Sequence, residues 1–293
     1  MKKTIQDILI ELKLSDNDSF ELFSDHTRDN DHLRVLRCKK SECIILENTN
    51  HINDLYYKNK DSYSYWGTKS RKKALLKTKV DDERRLNQFK KNIENKIWLD
   101  VGCGNGGLLE LFTPFAKIAH GVELQENVRK YLNKKGFTIF DSIASCRDNF
   151  YDVITLFHVF EHILYPLDFL KLLKNKLKKN GLLIIEVPHS QDALISKYKC
   201  QSFIENTLWS EHLCLHSKKT LSKFIKASGF LDIKINGIQR YSLTNHIYWL
   251  SNNKPNGQNI WKKLFNSKIN EQYDKILIDN DISDTLIAKA RKK

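Results

Sequence analysis

The run Asp100-Val101-Gly102-Cys103-Gly104-Asn105-Gly106-Gly107 restricts the architecture of this chain more than any other stretch. It follows the apolar segment Ile97-Trp98-Leu99-Asp100-Val101 and precedes Leu108-Leu109-Glu110-Leu111-Phe112, which reads as a helix start. Glycines at such a junction let the backbone turn sharply and let a ligand lie against bare peptide. The helix start beyond them offers N–H groups without intrahelical partners. Glu123 ends the next apolar segment, Ile118-Ala119-His120-Gly121-Val122-Glu123, 21 positions beyond Gly102. An acidic side chain at that place accepts hydrogen bonds from both hydroxyls of a ribose. Strand, glycine turn, helix and acidic strand end together predict a nucleotide-binding α/β unit.

Two details separate the candidate nucleotides. The dinucleotide pattern is G-x-G-x-x-G, whereas here the third glycine, Gly106, arrives one residue early. Asp100 also closes the first strand, and a carboxylate beside a pyrophosphate would be repelled. Beside the cationic ammonium of a methionine moiety it would be favourable. The pattern therefore predicts S-adenosylmethionine rather than NAD.

Downstream, strand and helix alternate. Residues 125–135 read as a helix with Gly136 at its C-terminal cap. Residues 137–143 and 151–157 read as the third and fourth strands, the latter fully buried. Residues 166–179 read as an amphipathic helix stopped by Asn180-Gly181, and 182–187 as the fifth strand. Residues 217–228 read as a helix with Ser217 as N-cap, 230–235 as the sixth strand, and 246–250 as a candidate seventh. Upstream, residues 81–95 read as a charged helix leading into the core. Val35-Leu36-Arg37-Cys38 and Cys43-Ile44-Ile45-Leu46-Glu47 read as two short strands around a turn. The aromatic stretch from Tyr56-Tyr57 to Tyr63-Ser64-Tyr65-Trp66-Gly67 reads as a loop or lid. The predicted fold class is α/β: a Rossmann-like, seven-stranded, mostly parallel sheet with helices on both faces. The predicted layout is an N-terminal region over 1–80, a cofactor-binding domain over 81–250 and a polar, partly helical extension over 251–293.

Composition narrows the setting. A chain of 293 residues with 41% hydrophobic content can bury a large core. No run of about 18 apolar residues occurs, which predicts no membrane span. The N-terminus soon turns acidic and amphipathic with no small-residue cleavage site, which points to a cytoplasmic protein. The six cysteines are scattered without a C-x-x-C pair, which predicts free thiols and no bound metal. The formal net charge is +14, but the lysines are spread out, which argues against a nucleic-acid partner.

Residues 98–106 resemble the cofactor motif of class I S-adenosylmethionine-dependent methyltransferases. Residues 151–162, ending His158-Val159-Phe160-Glu161-His162, are similar to the family's fourth-strand motif, and residues 177–188 resemble its fifth. The resemblance covers residues 94–239. It implies a cofactor site built from Asp100, Gly102, Cys103, Gly104, Gly106, Glu123 and Leu124. It also implies adenine contacts at Asp141 and Ser142, with Phe157 near the methionine end.

Methyl transfer from a sulfonium is an in-line displacement that aligns a nucleophile and often removes its proton. Candidate groups beyond the strand ends are His158, Glu161, His162, His189, Glu211, His212 and His216. Trp209-Ser210-Glu211-His212-Leu213-Cys214-Leu215-His216-Ser217 is similar to the acceptor segment of methyltransferases acting on nucleotide-linked deoxysugars. This resemblance implies His212 as catalytic base, with His158 and His189 as the other candidates. C-methylating members carry a tyrosine where Trp209 stands, and tryptophan supplies no phenol. Residues 37–45 resemble a zinc knuckle of the same relatives with the ligand pattern degraded, and residues 239–250 look like a segment of surface-glycan methyltransferases. The implied function is O-methylation of a small activated sugar, a phosphate-type oxygen or a glycan precursor in surface polysaccharide biosynthesis. Sugar C-methylation and RNA methylation are the alternatives, although no D/N-P-P-Y motif follows the fourth strand. The implied partner is a small-molecule acceptor, with no oligomeric state specified.

Overall fold

The structure, a computed structural model, describes residues 3–53, 56, 62–261 and 264–293, apart from the Tyr65 side chain. Residues 57–61 of the expected lid lie outside the described residues. Helix α1 (Ile5–Glu11) opens at Thr4, whose Oγ1 accepts from the Asp7 amide at 3.1 Å. The Asp7 carboxylate accepts from the Thr4 amide at 2.9 Å, which completes a reciprocal cap. Strands β1 (Phe20–Ser24), β2 (Val35–Cys38) and β3 (Ile44–Leu46) form a small antiparallel sheet that contains the expected hairpin.

Helix α2 (Arg71–Ile93) begins ten residues earlier than the sequence indicated. Its first half carries no apolar stripe: Leu76 and Val80 face solvent and only Ala74 is buried there, so periodicity could not mark it. The expected alternation follows. It runs β4 (Ile97–Val101), α3 (Gly107–Phe112), β5 (Ile118–Val122), α4 (Glu126–Lys134), β6 (Thr138–Phe140), β7 (Tyr151–Phe157), α5 (Pro166–Lys176) and β8 (Leu177–Pro188). Residues 177–179, expected at a helix end, already belong to β8.

Short helices α6 (Ala193–Ser196) and α7 (Gln201–Thr207) then lead to β9 (Cys214–Leu215), which leaves the main sheet and pairs with β3. Helix α8 (Lys218–Ala227) is capped by Ser217 as expected, and β10 (Phe230–Ile238) follows. The chain ends with α9 (Leu243–Asn252), α10 (Gly257–Ile260), α11 (Ser267–Asp279) and β11 (Thr285–Lys292).

The main sheet has seven strands in the order β10-β11-β8-β7-β4-β5-β6. The run from β6 to β8 is parallel, and β11 is antiparallel to both neighbours. The seventh strand therefore comes from residues 285–292, and residues 246–250, read as its candidate, are helical within α9. Five apolar or aromatic residues fit either period, and here the helix that buries His246 and Trp249 wins. Side chains alternate between two layers. Leu99, Ile154, Leu183 and Leu286 join the cluster that includes α5 and α8 residues. Trp98, Val153, Ile184 and Ile287 face the residues of α2, α3 and α4. Among the described residues no helix is long and apolar enough to cross a membrane.

Candidate active site

The glycine loop sits where β4 ends, held because the Gly102 and Cys103 amides both donate to Val122 O, at 2.9 and 3.0 Å. Gly102 and Gly104 have φ of +74° and +51°, a region that disfavours side chains. A Cβ at Gly102 would collide with Val159, and one at Gly104 would come within 2.7 Å of the Trp66 ring. These two residues present bare backbone to a cavity of about 950 Å³.

Glu123 closes β5 beside them. Its Oε2 accepts from the Gly104 amide at 3.0 Å and its Oε1 from the Gln125 amide at 2.8 Å. Burial raises its pKa, and these amides pull it back down. Each oxygen keeps a second lone pair for a ribose hydroxyl. Leu124 and Ser142 line the same cavity. Asp141 is exposed and accepts from Ser145 Oγ at 2.7 Å. Bare loop backbone and a fixed acid facing one cavity fit an adenosine-type cofactor.

Asp100 sits differently from the sequence expectation. Strand alternation puts it on the same face as Trp98, toward α2 rather than along the cavity. It is 3% exposed and accepts from Thr155 Oγ1 at 2.7 Å, while Trp98 Nε1 donates to that Thr155 oxygen at 2.9 Å. Burial pushes its carboxyl up to about 7. Phe157 is also on the α2 side, its ring 5.6 Å from Phe89 and under the Arg85 guanidinium. Cys103 lies buried beneath the loop, its sulfur against Gly121, and Gly106 opens α3. None of Asp100, Cys103, Gly106, Asp141 and Phe157 lines the cavity.

An ion network that sequence reasoning missed clamps α2 to the strand ends. Glu186 Oε1 accepts from Arg84 at 2.8 Å and from Arg85 at 2.6 Å. Arg240 Nε donates to Asp81 at 3.0 Å, and Arg240 also donates to His158 Nε2 at 2.9 Å. Burial alone would raise the Glu186 carboxyl, but Arg85, His158 and Arg84 hold it well below the usual range. Since Nε2 of His158 accepts, its Nδ1 carries the hydrogen and faces Glu161 Oε1 at 3.2 Å.

Glu161, His162 and His212 meet at the cavity wall. His212 Nδ1 donates to Thr207 O at 2.9 Å and His162 Nδ1 to Glu211 O at 2.7 Å. The two imidazole centroids are 5.2 Å apart, and Trp209 packs edge-on against both. Burial, then neighbouring His162, pushes the His212 pKa down to about 4, which leaves the ring neutral near pH 7. Burial would raise Glu161, but His158 and the other imidazoles bring it down to about 2. His189 also borders the cavity, although it is 1% exposed and its Nδ1 donates to Ser283 O at 3.0 Å. His216 is not at the cavity: it stacks on Phe160 in the core. Trp66, Arg28, Phe203, Asn245 and Trp249 also line the cavity. Arg28 lies 4.4 Å over the Trp209 ring. No spacing rule links these residues to the loop, so the sequence could not nominate them.

Fold and loop define a Rossmann-like nucleotide-binding protein. The sequence profile of a family described as "Methyltransferase domain" matches residues 73–235. The chain thus belongs to the S-adenosylmethionine-dependent class I methyltransferases. It is 27% identical over 157 residues to a tRNA U34 carboxymethyltransferase of Aliivibrio salmonicida, covering 49% of this chain and 47% of that protein. It is 25% identical over 201 residues to the mitochondrial ubiquinone biosynthesis O-methyltransferase of Schizosaccharomyces pombe, covering 64% and 70%. The chain spans about half the length of the first curated relatives it matches. A solved methyltransferase from Archaeoglobus fulgidus superposes with TM-score 0.50 at 21% identity, over 76% of this chain and 95% of that one. One from Thermotoga maritima superposes with TM-score 0.51 at 17% identity, over 76% and 94%. At these identities the two structures bear on the fold alone.

Proposed function

We propose that the chain transfers the methyl group of S-adenosylmethionine to an oxygen of a small activated sugar, a phosphate-type oxygen or a glycan precursor. The observation that carries this reading is a single cavity running from Gly104 and Glu123 to Glu161, His162 and His212. The cofactor supplies an electrophilic methyl carbon. Gly102 and Gly104 would receive it on bare backbone, Glu123 would accept from the ribose hydroxyls beside Leu124, and Ser142 would border the adenine, while Asp141 stays outside the cavity on the Ser145 hydroxyl. Asp100, Cys103, Gly106 and Phe157 support the loop from beneath.

At the other end, the acceptor oxygen would take the methyl group as the cofactor's carbon–sulfur bond breaks with its electron pair left on sulfur, and the acceptor's proton would pass to His212 Nε2. Glu161 is placed to offset the resulting charge, and His158, tied between Glu161 and Arg240, holds Glu161 in position. His189 forms part of the wall. Trp209, Phe203 and Trp249 offer apolar faces, and Arg28 offers a cation for an anionic acceptor group.

Purified protein with radiolabelled S-adenosylmethionine, challenged with nucleotide sugars, polyol phosphates and bulk tRNA, tests the acceptor class. Label is expected on a small hydroxylated acceptor. His212→Ala should lower turnover by about 10²–10⁴-fold while cofactor affinity holds. Label on tRNA alone would reject the small-acceptor reading, and wild-type turnover in His212→Ala would reject the base.

A further inference from the structure

One corner of the cavity gathers three ligand-type atoms. A Glu161 carboxylate oxygen and one nitrogen each of His162 and His212 all lie within 4.8 Å of one another. Both imidazoles point Nδ1 at a backbone carbonyl, Glu211 O for His162 and Thr207 O for His212. A carbonyl only accepts, so both Nδ1 atoms carry hydrogen, and the lone pair of the neutral ring is on Nε2. His162 Nε2 lies 3.9 Å from Glu161 Oε1. Glu161 is 1% exposed, and its Oε2 has no hydrogen-bond partner among the described residues. A buried carboxylate oxygen left without a partner is costly unless a cation meets it. The three side chains come from two separate segments, after β7 and before β9, so no short motif joins them.

Two imidazoles anchored through Nδ1 and one carboxylate form a His₂Glu donor set with its outer partners already in place. We propose that Glu161, His162 and His212 bind a divalent transition-metal ion of the zinc type, with its open positions turned to the acceptor chamber. Nitrogen and carboxylate ligands of this kind bond zinc at about 2.0–2.2 Å, so binding would draw together three atoms that now lie within 4.8 Å of one another. His158 donates to the same carboxylate and fixes its orientation. The purpose of the ion rests on the methyltransfer reading: a metal-bound hydroxyl ionises more readily than a free one. With the ion bound, His212 Nε2 is a ligand rather than the base: the metal lowers the pKa of the acceptor hydroxyl, and its proton leaves to solvent.

The test uses the full chain, stripped with chelator and titrated with Co²⁺ under visible absorption, followed by displacement with Zn²⁺. One Co²⁺ per chain is expected, displaced by Zn²⁺, with visible bands and no thiolate charge-transfer band. His162→Gln and His212→Gln should each weaken binding by at least about tenfold. His120→Gln, on β5 and away from the cavity, should leave binding unchanged. S-adenosylmethionine affinity is measured in parallel on each protein. Absent Co²⁺ uptake overturns the proposal, as does uptake that both variants retain. A thiolate band lost in Cys43→Ser also overturns it, by locating the ion at the buried cysteines. Cofactor binding without metal binding sinks the metal site alone, and metal binding without cofactor binding sinks the methyltransfer reading.

Discussion

At the scale of single residues, chemistry that needs a fixed residue type at a fixed spacing was legible, and chemistry assembled across the chain was not. Gly102, Gly104 and Glu123 stand where the sequence put them, because one turn and one strand end define the distance. Asp100 was legible as a strand-ending acid but not in its direction, which strand alternation sends toward α2. Arg28 reaches the cavity from a distant segment and left no local signal, and Trp66 and Arg240 were legible only as members of a lid-like stretch and of a segment resembling other methyltransferases. His246 shows how burial sets a titration. It is 1% exposed and faces the Tyr273 hydroxyl, Gln239 and the Tyr198 ring, and burial lowers its pKa to about 4. The unfolded chain then binds a proton that the folded one refuses between pH 6.5 and about 4. This contribution is fully present above pH 6.5 and is lost as pH falls toward about 4. Between pH 7.5 and pH 5, wild type should lose roughly 2 kcal/mol relative to His246→Gln, by urea unfolding at both pH values. A pH-independent difference would show that His246 is not buried neutral.

At the scale of elements, the parallel run β6 to β8 was legible because each strand is a short, mostly apolar run bounded by turn residues. The β11 strand was missed because it lies beyond a polar stretch and two helices, and its Lys289, Arg291 and Lys292 dilute the apolar signal. It is nevertheless internal to the sheet, hydrogen-bonded on both sides, with Leu286 fully buried. Leu286→Ala should destabilise the protein by about 2–5 kcal/mol, read from the denaturation midpoint. A change below about 0.5 kcal/mol, the range of ordinary surface substitutions, would contradict an internal strand. The same reasoning explains α2: its buried face carries Asp82 and Arg85 beside Phe89 and Ile93, so part of what anchors it is an ion pair rather than a stripe.

At the scale of the molecule, the cavity is walled by pieces that the sequence treated separately. The N-terminal region contributes Arg28 and Trp66, the sheet contributes the glycine loop and Glu123, and the segment after β10 contributes Asn245 and Trp249. Strand β9 ties the N-terminal sheet to the chain just after His212. Family and cofactor were therefore legible from one contiguous motif, whereas the acceptor chamber was not, because its walls come from at least three separated stretches. The central claim is that this cavity binds S-adenosylmethionine through the loop and Glu123. Titration calorimetry of wild type and Glu123→Ala against S-adenosylmethionine tests it most directly. The wild type should bind one cofactor per chain, and the variant should bind more weakly by about 1.5–3 kcal/mol, the range for hydrogen bonds to a charged group. A wild type that takes up no cofactor, or a Glu123→Ala protein that binds as tightly as wild type, would contradict the account.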